Sequence, residues 1–174
     1  LVNIVVRHVR KQVKPWNLPS SVAFKDALDA GHYSNLVPVS LDHEDIAFLQ
    51  YTGGTTGVAK GAMLTHRNMV ANVLQSASWI GTNVRLGADT IITALPLYHI
   101  FALTANWIVF IKSGARNILI VNPRDFASFV KELKKYQFSF ISGVNTLFNA
   151  LLHTSGFSEV DFSELRITLG GGMA

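Results

Sequence analysis

The chain has 174 residues, and a 49% share of hydrophobic side chains supplies a core for one domain, which excludes a disordered chain. It has no cysteine, which excludes a disulfide-stapled miniprotein, a thiolate metal site and a cysteine nucleophile, and charged residues at 15% with a mean hydropathy of +0.29 leave a surface too apolar for a small free-standing domain, so the chain is expected to be part of something larger. The net charge of +4 sits entirely in Arg7, Arg10, Lys11 and Lys14; from Pro15 onward basic and acidic side chains are equal in number, which leaves no basic face of the size nucleic acid requires.

Val2, Val5, Val6, Val9 and Val13 recur at helical spacing opposite those four basic residues. Such a helix either rests on an anionic membrane or packs its apolar stripe on protein with the charges in water. The start Leu1-Val2-Asn3 has no initiator Met and no charged segment leading into an apolar core, so it reads neither as a signal peptide nor as a native start. Pro15 to Pro19 reads as a connector, and Ser21 to Ala30 as a short helix stopped by Gly31. Asp45 to Tyr51 predicts a strand, Thr52 to Gly61 a Gly/Thr-rich loop, Ala62 to Leu64 a brief strand, and Arg67 to Ile80 a helix with Thr65 as its N-cap.

Twenty-two residues without formal charge separate Asp89 from Lys112, long enough to span a bilayer, but Pro96, Tyr98, His99 and Asn106 interrupt them. The stretch reads better as a buried strand, Ile91 to Leu95, and a buried helix, Ile100 to Lys112, ended by Gly114. A strand over Asn117 to Val121 follows, then a helix capped by Asp125 with Phe126, Phe129, Val130 and Leu133 on one face. Phe138 to Ile141 predicts a strand, Val144 to His153 a helix, and Ile167 to Leu169 a last strand running into Gly170, Gly171 and Gly172. Short apolar strands alternating with amphipathic helices predict an α/β layered domain. Ending just after a glycine triplet leaves that strand with nothing to pack against, so the chain is expected to be an interior part of a longer protein.

The segment Tyr51-Thr52-Gly53-Gly54-Thr55-Thr56-Gly57-Val58-Ala59-Lys60-Gly61 carries the most chemistry. Its glycines let the backbone approach an anion and turn N–H groups toward it, Thr52, Thr55 and Thr56 add hydroxyl donors, and Lys60 adds a mobile positive charge. By composition alone it is either a phosphate-binding loop or a glycine-rich hairpin connection with a solvated lysine. It is not a P-loop, which ends Gly-Lys-Ser/Thr where this chain has Ala59-Lys60-Gly61, and the spacing of a dinucleotide fingerprint is absent.

The segment resembles the phosphate-loop signature of the adenylate-forming superfamily, commonly Tyr-Thr-Ser-Gly-Thr-Thr-Gly-x-Pro-Lys-Gly. With Gly53 for the usual Ser and Ala59 for the usual Pro, continuing Ala62-Met63-Leu64-Thr65-His66-Arg67-Asn68, it looks like bacterial long-chain fatty acid CoA ligases. Leu95-Pro96-Leu97-Tyr98-His99-Ile100-Phe101 is similar to the family's Pro-x-x-His motif, Gly143-Val144-Asn145-Thr146-Leu147-Phe148 to its next helix start, and Gly170-Gly171-Gly172-Met173 to its adenine-side glycine turn.

The resemblance implies that residues 1–174 are an incomplete part of the AMP-binding N-terminal domain, with the C-terminal domain absent. Tyr51, Thr52, Gly53, Gly54, Thr55, Thr56, Gly57, Val58, Ala59, Lys60 and Gly61 would wrap the ATP phosphates. His99 would stand where carboxylate, adenylate and acyl tunnel meet; without the resemblance it reads as a core histidine after a proline turn. Gly170, Gly171, Gly172 and Met173 would face adenine or the acyl-adenylate, and Ile100, Leu103, Val144, Asn145 and Leu147 would line the acyl tunnel, though each also suits plain core packing. Some long-chain relatives carry an aromatic gate where Leu103 stands. The implied substrates are a long-chain fatty acid, ATP with Mg2+, and coenzyme A, with no metal ligand within this chain. A cytoplasmic protein follows, peripheral on the inner face of the membrane, with a homodimer as a further expectation.

Two other classes stay open: a non-catalytic lipid- or nucleotide-binding module, and a membrane-attached interaction segment using the basic N-terminal helix. The six histidines show no metal-ligand spacing, and no Gly-x-Ser-x-Gly elbow of a serine hydrolase occurs.

Overall fold

β-branched and aromatic residues dominate the short apolar runs of this chain, and in a computed structural model that describes residues 4–14, 17–52 and 59–171 those runs are the strands. The chain divides into two units, Leu1–Ser40 and Leu41–Ala174.

In the first unit, the valine stripe forms only one π-helical turn, Val5–Val9, and not the longer amphipathic helix its spacing predicts. Lys11 adopts a φ of 47°, a left-handed conformation that a helix cannot continue through. Helix α1, Phe24–His32, passes through Gly31 and ends only at Tyr33, whose N–H returns to the Ala30 carbonyl. None of the residues of either element is buried.

In the second unit, β1 (Ile46–Thr52) and β2 (Lys60–Thr65) form an antiparallel pair with Tyr51 opposite Gly61 and Thr52 opposite Lys60. Helix α2, His66–Ile80, begins at a reciprocal cap: the Asn68 N–H donates to Thr65 Oγ1 at 3.3 Å, and the Thr65 N–H to Asn68 Oδ1 at 3.0 Å. These two bonds satisfy N–H groups that a helix start otherwise leaves bare. Strand β3 is Thr90–Thr93. Helix α3 runs through Ile100–Ala102, a π-helical Leu103–Ile108 and Val109–Lys112, so the uncharged stretch folds as strand, loop and helix. Among the described residues no helix is long and apolar enough to cross a membrane. Gly114, at φ 71°, makes the turn into β4 (Arg116–Leu119). Helix α4 (Phe126–Leu133) is capped by Asp125, whose Oδ1 accepts the Ser128 N–H at 3.1 Å. Strand β5 (Phe140–Gly143), helix α5 (Asn145–Leu152) and strand β6 (Ile167–Gly170) complete the unit.

The four later strands form one parallel sheet in the order β4-β3-β5-β6. From β3 the chain moves one way to β4 and then back across to β5 and β6. Right-handed crossovers therefore put α3 on one face and α4 with α5 on the other. Side-chain alternation follows: Ile92 and Ile141 join Phe129, Leu133, Leu147 and Leu151 in one core, while Ile91 and Phe140 join Val73, Ile80, Val109 and Phe110 in the other. In the second core the Phe110 and Phe140 rings meet edge to face, with centroids 4.7 Å apart.

Candidate functional site

Adjacent strands β3 and β5 send their helices to opposite faces of the sheet, and open α/β sheets take ligands in the crevice that such a reversal leaves beyond the carboxyl ends of the strands. The register brings Thr93, Ser142 and Leu169 side by side there, with Gly143 opposite Gly170. Gly171 extends this edge by donating its N–H to the Gly143 carbonyl at 3.3 Å. A Cβ on Gly171 would stand 2.9 Å from Cε2 and Cζ of Phe101, so the phenyl ring closes on bare backbone that only glycine offers.

Pro96 to His99 forms the turn ahead of α3. The His99 N–H donates to the Pro96 carbonyl at 3.0 Å, its carbonyl accepts the Leu103 N–H at 2.9 Å, and its Nδ1 accepts the Phe101 N–H at 3.3 Å. His99 is exposed, which rules out the buried core histidine that its position after a proline turn suggested. An imidazole accepting at Nδ1 keeps its neutral-form proton on Nε2, leaving one N–H donor for a ligand.

On the α3 face of the sheet lies a cavity of about 690 Å³, within the ~300–1,000 Å³ of small-molecule sites. Ser76 and Trp79 of α2, Phe101 and Ala105 of α3, and Ile91 and Leu169 of the sheet line it. Its walls are largely apolar, so it suits a hydrocarbon rather than a phosphate. Six polar residues stand in them: Asn72, Gln75 and Ser76 on α2, Thr104 and Asn106 on α3, and Ser142 on β5.

The sequence-predicted residues fall as follows. Of the five tunnel candidates, Ile100 lines the cavity and the other four do not. Leu147 is buried in the opposite core with Val144 packed against it, because α5 crosses to the far face; Leu103 is half-buried and Asn145 exposed. Tyr51, Ala59, Lys60 and Gly61 are exposed at the open end of the β1–β2 pair, where the register sets Tyr51 opposite Gly61 and Thr52 opposite Lys60. Gly53, Gly54, Thr55, Thr56, Gly57 and Val58, like Gly172 and Met173, lie outside the described residues. Gly170 is the exposed last residue of β6. Among the described residues no group of three or more His, Asp or Glu is placed to hold a metal ion.

Sequence reasoning missed Ser76 and Trp79 as wall residues, and it treated Asn106 only as an interruption of an apolar run. An amide inside an otherwise apolar helix is itself the signal, since such a group needs partners wherever it is buried.

Comparison with known proteins places these features in a family. The AMP-binding enzyme family matches residues 3–174. The chain is 54% identical over 173 residues to a long-chain-fatty-acid–CoA ligase of Escherichia coli O157:H7, covering 99% of this chain and 31% of that protein. It is 56% identical over 179 aligned residues to the enzyme of the same name from Haemophilus influenzae, covering 100% of this chain and 31% of that one. The inhibitor-bound N-terminal domain of FACL13 from Mycobacterium tuberculosis superposes with a TM-score of 0.71 at 24% identity, over 85% of this chain and 36% of that domain, a likeness of fold. The chain thus spans about a third of the length of the curated relatives it matches. Its parallel sheet, its glycine-bearing carboxyl edge and these likenesses agree, and the chain belongs to the AMP-binding enzyme family.

Proposed function

We propose that the protein carrying this chain is an AMP-forming long-chain fatty acid–CoA ligase. The observation that carries the reading is the apolar cavity of about 690 Å³ that reaches, through Leu169, Ser142 and Phe101, the carboxyl edge of the sheet next to the His99 turn. A hydrocarbon chain held there would present its carboxylate at that edge, where the Gly143–Gly171 backbone and the His99 Nε2–H stand ready for an adenylate.

In this reaction a carboxylate oxygen attacks the α-phosphorus of ATP, the bond to the β-phosphate oxygen breaks, and pyrophosphate leaves. The thiolate of coenzyme A then attacks the acyl carbon and AMP departs with the electron pair of the broken C–O bond. The loop between β1 and β2, with Lys60 at its far end, would bind the β- and γ-phosphates and stabilise the charge on the departing pyrophosphate. Mg2+, bound with the nucleotide, supplies charge neutralisation on the phosphates, and no residue of this chain is assigned to hold it. In this reading the enzyme works in the cytoplasm and meets its apolar substrate at the inner face of the membrane, where exposed Arg7, Arg10 and Lys11 suit anionic headgroups.

The test is fatty-acid-dependent exchange of labelled pyrophosphate into ATP by the full-length protein, with and without Ala105→Trp, which fills the cavity from α3. Exchange supported by palmitate in the wild type and lost in the variant is expected. A wild-type protein that exchanges with no fatty acid overturns the reading.

A further inference from the structure

Asn106 is completely buried in the π-helical segment of α3, at the floor of the cavity. Its Nδ2 donates to Thr93 Oγ1 at 3.2 Å, and its Oδ1 accepts from Ser142 Oγ at 2.8 Å. The Thr93 hydroxyl in turn donates a hydrogen bond to Asn117 Oδ1 at 2.7 Å. One side chain thus ties α3 to β5 and β3, and through Thr93 to β4, at the carboxyl edge where the candidate site lies.

Stability alone does not call for this arrangement. A buried amide contributes to folding only through the bonds it makes, and an apolar side chain of the same shape, with apolar partners, would serve a core about as well. What the amide supplies is direction: its donor meets Thr93 and its acceptor meets Ser142 in one place only. That matters at a π-helical segment, whose i→i+5 bonds make it a rare, widened turn found mostly at functional sites. Relaxation to a regular helix would remove one residue of register, swinging the residues on one side of it by roughly 100° about the axis. Those residues include Ile100 and Phe101, which form the cavity wall, and His99 at the head of the helix.

We propose that Asn106 is a positioning residue that, through Thr93 and Ser142, locks the widened turn of α3 on the sheet and so sets the acyl chain lengths that the cavity accepts. The inference rests on reading that cavity as the acyl site.

The experiment compares kcat and KM for palmitate and decanoate in the full-length protein and in its Asn106→Leu, Ser142→Ala and Thr93→Val variants, with KM for ATP and thermal unfolding measured on each. In Asn106→Leu the palmitate-to-decanoate ratio of kcat/KM should move by about tenfold while KM for ATP holds. Ser142→Ala and Thr93→Val should move the ratio the same way by less, and the Asn106→Leu/Ser142→Ala pair should move it no further than Asn106→Leu alone. Folded variants that lose activity equally on both acids, or keep the wild-type ratio, overturn the proposal. Should Asn106→Leu not fold, the two hydroxyl variants decide by the same ratio. A wild-type protein inactive on both acids strikes at the proposed function instead.

Discussion

Arg166 and Asp89 lie 77 residues apart in the chain and form an ion pair at the amino ends of β6 and β3, the opposite end of the sheet from the candidate site. Asp89 is buried, and its carboxylate also accepts the Arg85 N–H at 2.8 Å and the Ser139 hydroxyl at 3.0 Å. Arg166 in turn donates from Nε to the Asn83 carbonyl at 2.8 Å, and its guanidinium stands 5.6 Å from the centre of the Phe140 ring. One carboxylate therefore joins the segments that lead into three of the four parallel strands. Removing it leaves Arg166 with the Asn83 carbonyl and a longer 3.7 Å approach to Glu164, and leaves the Arg85 N–H and Ser139 hydroxyl without their acceptor, so Asp89→Ala should lower unfolding stability by about 1–3 kcal/mol in urea titration.

The same pair predicts a pH dependence. Burial alone would raise the Asp89 carboxyl, but the Arg85 N–H, Arg166 and Ser139 outweigh it and hold the group below the usual carboxylate value. The native state then binds this proton less readily than the unfolded chain. Its contribution is complete above the unfolded carboxylate value and drains away as pH falls through the lower folded value. Urea midpoints of the wild type should decline across that acid window more steeply than those of Asp89→Asn. Parallel profiles would assign the acid sensitivity to other carboxylates.

At the start of α2 the reciprocal bonds between Thr65 and Asn68 make a specific claim. Thr65→Ala should cost about 1 kcal/mol by chemical denaturation, whereas Thr65→Ser, which keeps the oxygen, should come close to the wild type. Equal losses in the two would point to the threonine methyl rather than the cap.

Gly171 and Phe101 should behave as a coupled pair. A methyl at Gly171 would sit 2.9 Å from the ring, so Phe101 has to leave its place on the cavity wall. Gly171→Ala should weaken displacement of a fluorescent fatty acid by palmitate, and adding Phe101→Leu should recover part of the loss. Strictly additive effects would separate the glycine from the cavity.

The two halves of the proposed site should also be separable by kinetics. Lys60→Ala removes a charge at the phosphate loop and should raise KM for ATP or lower kcat about equally for long and short fatty acids, by roughly 10–100-fold. Ala105→Trp should instead penalise the longer chain selectively. A Lys60 variant that alters chain-length preference would place that side chain in the acyl site.

Element types were legible because they rest on local chemistry: β-branched apolar runs, the Thr65 and Asp125 caps, and the 3.6-residue period of α4 all act within a few residues. The phosphate-loop composition and the turn at His99 were legible for the same reason. The valine stripe misled at the amino terminus because periodicity states what a helix would bury, not that one forms; there Lys11 turns left-handed after one turn.

Composition and short-range pattern by themselves determined the α/β class and the order of most elements, and the resemblance of four short motifs to a known family's signatures pointed to an AMP-binding enzyme. Which face each helix covers was decided only in three dimensions, by strand order together with crossover handedness. That is why Leu147 and Val144 went to the core opposite the cavity, while Ser76 and Trp79 came to its wall because α2 packs against α3. The partners of Asn106 and Asp89 were decided there as well, since a buried polar group is satisfied by whatever the tertiary fold brings within hydrogen-bond reach, whatever its distance along the chain.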